Sequence, residues 1–123
     1  MLNNIKNALE EAFNLPVHYG DLPFDPSEKE ISWDFIVFAR DESGMSGTSN
    51  IDCSRSYDVA IVCENYIPED YDIKLIKTMK SIGLRPTKDP GGYSYTKKPN
   101  TDIIIEIYSK GFVRAYKGCD IFE

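Results

Sequence analysis

The sequence predicts an α+β domain in which two helices pack on a mainly antiparallel sheet of about four to five strands. Two segments carry an apolar stripe with helical spacing, and several others alternate apolar and polar residues as strands do. Turn-forming residues separate these segments, so neighbouring strands are expected to pair as hairpins. A chain of 123 residues has room for one core, and we expect a single domain over 1–123.

The first helix is predicted over about residues 3–14. Its apolar stripe recurs at helical steps and consists of Leu2, Ile5, Leu9 and Phe13. Asn3 is a residue type that caps helix starts, and Pro16 prevents the helix from continuing. A short extended piece is expected to follow at 17–19.

Two alternating segments predict a long hairpin in the first half of the chain. Residues 31–39 and 56–64 both place apolar side chains at every second position, a period that a helix cannot present on one side. The segment between them, 41–50, contains Gly44 and Gly47 and no apolar period. We therefore predict a mobile loop that joins two paired strands.

A second helix is predicted between Pro68 and Gly83, because proline suits a first helical turn and glycine suits the position after the last. One side of this helix is apolar and comprises Tyr71, Leu75, Ile76, Met79 and Ile82. The opposite side carries Lys74, Lys77 and Lys80, which are expected to face solvent.

The last third of the chain predicts strands. Residues 84–88 and 93–97 flank a turn signal at Asp89-Pro90-Gly91-Gly92, and a further strand is expected over 102–109. The pattern leaves open whether residues 112–117 continue that strand past Gly111 or turn back before it.

Charge and composition exclude several classes of protein. A net charge of −6 opposes binding of free nucleic acid, and no apolar run approaches the ~20 residues of a membrane-spanning helix. The first residues lack a secretory signal, which favours the cytoplasm. Cys53, Cys63 and Cys119 are widely spaced and are expected to be reduced thiols rather than metal ligands or a disulfide framework.

No segment has the pattern of a catalytic or metal site. His18 is the only histidine, and Thr48 stands where the nucleophile-elbow pattern needs glycine. The acids Asp21, Asp25, Glu28 and Glu30 lack the order of a calcium-binding loop. We therefore expect no enzyme activity, no cofactor and no bound metal.

The mobile loop is the best candidate for a contact with other proteins. Its small and hydroxyl residues leave it free to adapt, and its apolar side chains can anchor in a partner. The candidate interface residues are Ser43, Gly44, Met45, Ser46, Gly47, Thr48 and Ile51. Eight tyrosines in this length also favour a binding surface, since tyrosine is enriched at interfaces.

The order of these segments resembles that of the tail terminator and tail completion proteins of long-tailed bacteriophages and prophages. The resemblance extends from the first helix to about Lys117 and is one of pattern and order. It rests on the opening helix with Pro16-Val17-His18-Tyr19, the strand 33–39 with its Ser/Gly/Thr loop, the strand 57–64, Ile82-Gly83-Leu84-Arg85, and the segment 93–107.

This resemblance implies a structural subunit of a ring, commonly a hexamer, at the head-proximal end of the tail tube. The ring would end tail polymerisation and join the tail to the head connector, so the implied partners are further copies, the tail tube protein and the connector protein. DNA would pass through without being specifically bound. The implied location is the host cytoplasm during assembly and then the virion tail.

A second class of function also fits a small acidic α+β protein. An immunity protein that inhibits a basic nuclease toxin would use charge complementarity, with the acids of 21–34 as its surface. An enzyme would need a pocket with converging polar groups, which the sequence does not predict.

Overall fold

The computed structural model describes residues 1–20, 33–40, 53–87 and 91–116. Two helices and a six-stranded, mostly antiparallel sheet are formed within these ranges, so the predicted α+β class is confirmed. The elements in chain order are α1 (Leu2–Phe13), β1 (Val17–Tyr19), β2 (Phe35–Arg40), β3 (Cys53–Glu64), α2 (Tyr71–Ser81), β4 (Arg85–Pro86), β5 (Gly92–Lys97) and β6 (Ile104–Tyr116).

The sheet has the order β1-β2-β3-β6, and both β4 and β5 pair with the remaining edge of β6. β1 runs parallel to β2, and every other pair is antiparallel. Pro86 lies opposite Phe112 and Gly92 opposite Ser109, so β4 and β5 follow one another along the same edge. The sheet has one strand more than predicted because β1, expected only as a short extended piece at 17–19, joins it beside β2.

The first helix differs from the prediction mainly at its ends. Met1 stands at the N-cap position without a side-chain cap bond, so the expected cap by Asn3 is wrong and Asn3 lies inside the helix. Asn14 adopts a left-handed conformation (φ 53°), and its N–H bonds to the carbonyl of Glu10. The helix therefore ends at Phe13, three residues before Pro16, and its cap Asn14 is a residue type that tolerates this conformation.

The second helix is shorter than the segment between Pro68 and Gly83 in which it was predicted. It begins after Asp70 and ends at Ser81, and Gly83 follows with a φ of +88°. A left-handed φ just after a helix is the conformation that glycine adopts without strain, so the predicted stop signal is confirmed. Lys77 and Lys80 are exposed as expected, whereas Lys74 is half-buried with its Nζ 5.0 Å from the centre of the Phe13 ring.

Several strand boundaries also differ from prediction. Trp33 and Asp34 precede β2 rather than belonging to it, residues 31 and 32 lie outside the described ranges, and β3 begins earlier than expected, at Cys53. β6 continues through Gly111 to Tyr116, which answers the question that the sequence left open. It does so because each residue from 105 to 116 has a partner in β3.

The turn signal at 89–92 does not form a hairpin between the segments before and after it. Both segments pair with β6, and Gly91 lies where the edge strand resumes. A Cβ at Gly91 would lie 2.6 Å from the carbonyl oxygen of Ser109, and its φ is +78°. Only glycine fits this close approach of two backbones. Lys88, the end of the predicted strand 84–88, lies outside the described residues.

One side of the sheet, here called the helix face, packs against α1 and α2. The main core joins helix residues such as Leu9 and Leu75 to sheet residues such as Ile36, Val59 and Ile61, all of which have no exposed surface. The predicted stripes are confirmed, since Ile5, Phe13 and Met79 are also buried and Leu2, Tyr71 and Ile82 pack at the margin. In the part of the chain that the structure describes, neither helix has the length and apolar character needed to span a membrane.

Candidate protein interface

The loop predicted as the interface, 41–50, lies outside the described residues. All seven candidates, Ser43, Gly44, Met45, Ser46, Gly47, Thr48 and Ile51, lie outside the described residues. The structure does place the two strands that this segment joins. Arg40 at the end of β2 is opposite Tyr57 of β3, so 41–52 connect neighbouring antiparallel strands, as predicted.

His18 and Trp33 lie beside Phe35 on the side of the sheet opposite the helices. His18 is on β1 with its ring 6.0 Å from that of Phe35, and Trp33 packs against Phe35 at 6.2 Å. Trp33 thus belongs to a packed cluster. Asp34 accepts a hydrogen bond from the backbone N–H of Glu64 at 3.2 Å. The acids Asp21, Asp25, Glu28 and Glu30 lie outside the described ranges.

This second side of the sheet, here called the open face, has an apolar cluster of its own. Phe35, Val62 and Ile105 form its buried centre. Its half-buried margin consists of Trp33, Val37, Ile103 and Ile107. No described helix residue belongs to this cluster, in contrast to the main core. The strands β2, β3 and β6 therefore carry apolar residues on both faces of the sheet. Alternation of apolar and polar residues would need only one apolar face.

A groove of about 340 Å³ crosses the open face beside this cluster. Register places its open-face residues in two rows, one of Val37, Ala60 and Ser109 and one of Ala39, Asp58 and Gly111. Most of these side chains are small, and Gly111 has none, so the strands leave a depression between larger neighbours. A space of this size accepts one or two side chains of a partner, with the Asp58 carboxylate at one side.

Sequence reasoning missed this groove. The presence of alanine, serine or glycine in one strand does not by itself predict a groove, because the residues beside it on the paired strands can be bulky. The register of three strands is what brings Ala60, Ser109 and Gly111 together. A pattern of small residues at matching steps in separate strands is informative only after the pairing is known.

An ion pair closes the open face at its other end. The Nζ of Lys98 donates to Oε1 of Glu64 at 2.7 Å, and the backbone N–H of Trp33 donates to the same oxygen at 3.4 Å. The hydrogen bond from Lys98 lowers the pKa of the Glu64 carboxyl below its ordinary value, against the opposing effect of burial. The pair ties β3 to the turn between β5 and β6, and so fixes the edge of the apolar cluster.

A second hollow lies at the same end of the sheet, between β3 and the start of α2. Its wall includes Leu15, Tyr66 and Tyr71. Cys63 also lines it, and burial, aided by the charges of Asp34 and Glu106, raises the pKa of its thiol to about 11. A thiol with this pKa stays protonated near neutral pH and is a weak nucleophile. The described residues contain no group of three or more His, Cys, Asp or Glu side chains arranged to hold a metal ion.

Comparison with models of known protein families gives no match to this chain, and a search among curated proteins finds no similar sequence. The functional interpretation therefore depends on the geometry of the sheet and on the pattern of segments described above.

Proposed function

We propose that this chain is a structural subunit that binds other protein subunits, in the manner of a tail terminator or tail completion protein of a long-tailed phage or prophage. The observation that carries the proposal is the open face. There an apolar cluster and a groove lie side by side on a sheet whose opposite face is already covered by both described helices.

The open face has the composition of the centre of a protein interface. Trp33, Val37 and Ile107 offer half-buried apolar surface, and such surface gains about 25 cal/mol for each Å² removed from water. The groove beside them gives a partner side chain a defined position. Burial of the apolar area supplies the affinity for a partner, and the shape of the groove fixes how the partner is aligned on the sheet.

The neighbour proposed for this face is another copy of the chain. In a ring, each subunit presents one surface to the next copy and a different surface to the previous one, and the assembly closes without leaving an unpaired face. The ring would end tail tube polymerisation and contact the tube and connector proteins. The net charge of −6 on each chain suits a ring through which DNA moves without being held.

Electron microscopy of tails assembled with and without this chain tests the proposed role. Expression of the tail genes without it is expected to give tubes of unregulated length that fail to join heads. Tails of normal length that join heads in its absence would exclude the role in a phage tail.

A substitution in the groove tests the proposed surface separately. Ala60→Arg fills the groove from its floor, and we expect it to abolish rings in native mass spectrometry of the concentrated protein. Ser81→Arg, on the exposed end of α2, introduces the same side chain away from the groove and serves as the control. Rings that form equally with both variants, each folded by circular dichroism, would exclude the open face as the contact.

A further inference from the structure

The outer edge of β5 is a second surface, separate from the open face. All six residues of Gly92–Lys97 are exposed in the folded chain. β5 pairs with β6 on one side, and no described strand pairs with its other side. An exposed edge of this kind presents backbone N–H and C=O groups that can bind an added strand.

The hydrogen-bond pattern identifies which residues point their backbone outward. The N–H of Lys98 donates to the carbonyl of Ile103 at 2.9 Å, which marks the position opposite Ile103 as a hydrogen-bonded pair. Bonded and non-bonded pairs alternate along antiparallel strands. Tyr93 and Tyr95, at odd steps from Lys98, therefore direct their N–H and C=O groups to the free edge.

The same two tyrosines form an aromatic surface on the helix face. The ring of Tyr93 lies 4.9 Å from that of Tyr108 on β6, and Tyr93 and Tyr95 are 45% and 64% exposed. Side chains two residues apart on a strand point the same way, so both rings would meet the same side of an added strand.

Carboxylates lie beneath this aromatic surface. Glu106 is opposite Tyr95 in the register, bonds to its hydroxyl and accepts the N–H of Ile67 at 2.6 Å, which fixes the carboxylate in place. Asp72 on α2 is close enough to Tyr93 and Tyr108 to add, after burial, to the rise in the pKa of both phenols. The hydrogen bond to Glu106 is the main cause of the raised pKa of Tyr95. Glu106 and Asp72 thus place negative charge near the rings. The positive charges on the same face are Lys97 at the end of β5 and Lys110 of β6, whose Nζ donates to the carbonyl of Thr87 at 3.2 Å.

We propose that the free edge of β5 binds an extended segment of a partner protein that carries basic side chains on the side facing Tyr93 and Tyr95. Backbone groups of the tyrosines hold the segment as an added strand. Its arginine or lysine side chains, two residues apart, lie over the rings and near Glu106 and Asp72, where cation–π and ionic attraction act together. Ser94 and Thr96 face the other way and are small, so alternate positions of the segment are free to vary.

Charge complementarity favours a basic partner segment over a second copy of the chain. A two-fold related β5 carries Lys97 as its one basic side chain on this face, so it offers a single positive charge to the rings, and its own Glu106 and Asp72 add negative charge on the same side of the joined sheets. This inference goes beyond the proposed role in a tail and is independent of it, because the edge of β5 and the groove lie on different surfaces.

Titration of the full chain with two synthetic peptides tests the inference. In one peptide arginine alternates with threonine, and in the other glutamate replaces each arginine. We expect the arginine peptide to bind at least about tenfold more tightly and to slow amide hydrogen exchange of Tyr93 and Tyr95. Equal binding of both peptides, no binding, or binding without protection of these amides would overturn the proposal. Protection of the same amides by concentration alone, in the absence of peptide, would instead show a second copy at the edge and would also overturn it.

Three substitutions sharpen this test. Glu106→Gln keeps an oxygen for the Ile67 N–H and removes the charge, and Tyr95→Ala removes one ring. Each is expected to weaken the arginine peptide by about tenfold. Tyr19→Ala removes an exposed tyrosine from β1, at the opposite edge of the sheet, and should leave peptide binding unchanged. Equal losses in all three variants would show that binding does not depend on the β5 surface.

Discussion

The two faces of the sheet use similar residues with different results. On the helix face, Ile36 and Ile61 lose all their exposed surface beneath α1 and α2. On the open face, Val37 and Ile107 belong to the same strands or to a neighbouring one but stay half-buried. The side chains are equally apolar, so the difference comes from what covers them. The comparison shows that the helices complete the burial of the helix face, while the margin of the open-face cluster keeps apolar surface exposed.

The largest expected effect is a loss of stability when the helix face loses a buried side chain. Leu9→Ala removes a leucine with no exposed surface and should lower the free energy of unfolding by ~2–5 kcal/mol. Leu2→Ala, in the same helix but half-buried at the margin, is the matched control and should cost about 1 kcal/mol. Urea unfolding of both variants measures the difference. Equal losses would mean that α1 does not bury its stripe as described.

A smaller effect is expected from the ion pair that closes the open face. Lys98→Met keeps the length of the side chain and removes the bond to Glu64. Lys98 is 7% exposed and Glu64 23%, so solvent screens the pair in part, and we expect a loss of about 1–3 kcal/mol at neutral pH.

The same pair predicts a dependence of stability on pH. The folded chain lowers the pKa of Glu64 from 4.5, chiefly through the Lys98 hydrogen bond. The unfolded state therefore binds the proton more readily, and the stabilisation is complete above pH 4.5 and lost as the pH falls through the lowered value. The acid decline of stability should become shallower in Lys98→Met than in the wild type. An unchanged slope would show that the pair does not set the pKa of Glu64.

The smallest effect is expected when one methylene is removed from an isoleucine on each face of the sheet. Ile61→Val on the helix face should cost ~0.5–1.5 kcal/mol, because the cavity forms in a closed core. Ile107→Val on the open face should cost about 0.5 kcal/mol or less, since its neighbours leave the side chain half-buried. Thermal unfolding of the pair under one set of conditions measures this. A larger loss at Ile107 would contradict the distinction between the faces, unless assembly at the protein concentration used covers the open face.

Repeated local patterns were enough to predict most elements of the fold. The stripes of α1 and α2 and the alternation over 57–63 depend on the period of the backbone, which is present in any window of the sequence. The stop of α2 at Gly83 was predictable because glycine adopts a left-handed φ after a helix without strain. The cap by Asn3 was not correct, because a cap depends on where the helix starts, and a single asparagine near the amino terminus does not fix that position.

The candidate site was less predictable than the fold. Residues 43–48 and Ile51 remain an untested prediction, and the groove of Ala60 and Gly111 had no signal in the sequence. The carboxylates under Tyr93 and Tyr95 come from β6 and from α2, and only the packed structure brings them to the edge of β5.

The sequence by itself determined that this chain forms two amphipathic helices and strands with alternating apolar residues, because each of those patterns acts between residues a few positions apart. Tertiary structure alone decided that β1 joins β2 in parallel, that β4 and β5 share one edge of β6, and that β6 continues past Gly111. Strand pairing depends on contacts between residues far apart in the chain, and a turn signal such as Asp89-Pro90-Gly91-Gly92 fits several pairings equally well. The choice among them is made by burial of the whole sheet and by satisfaction of its backbone hydrogen bonds, which no short window of sequence contains.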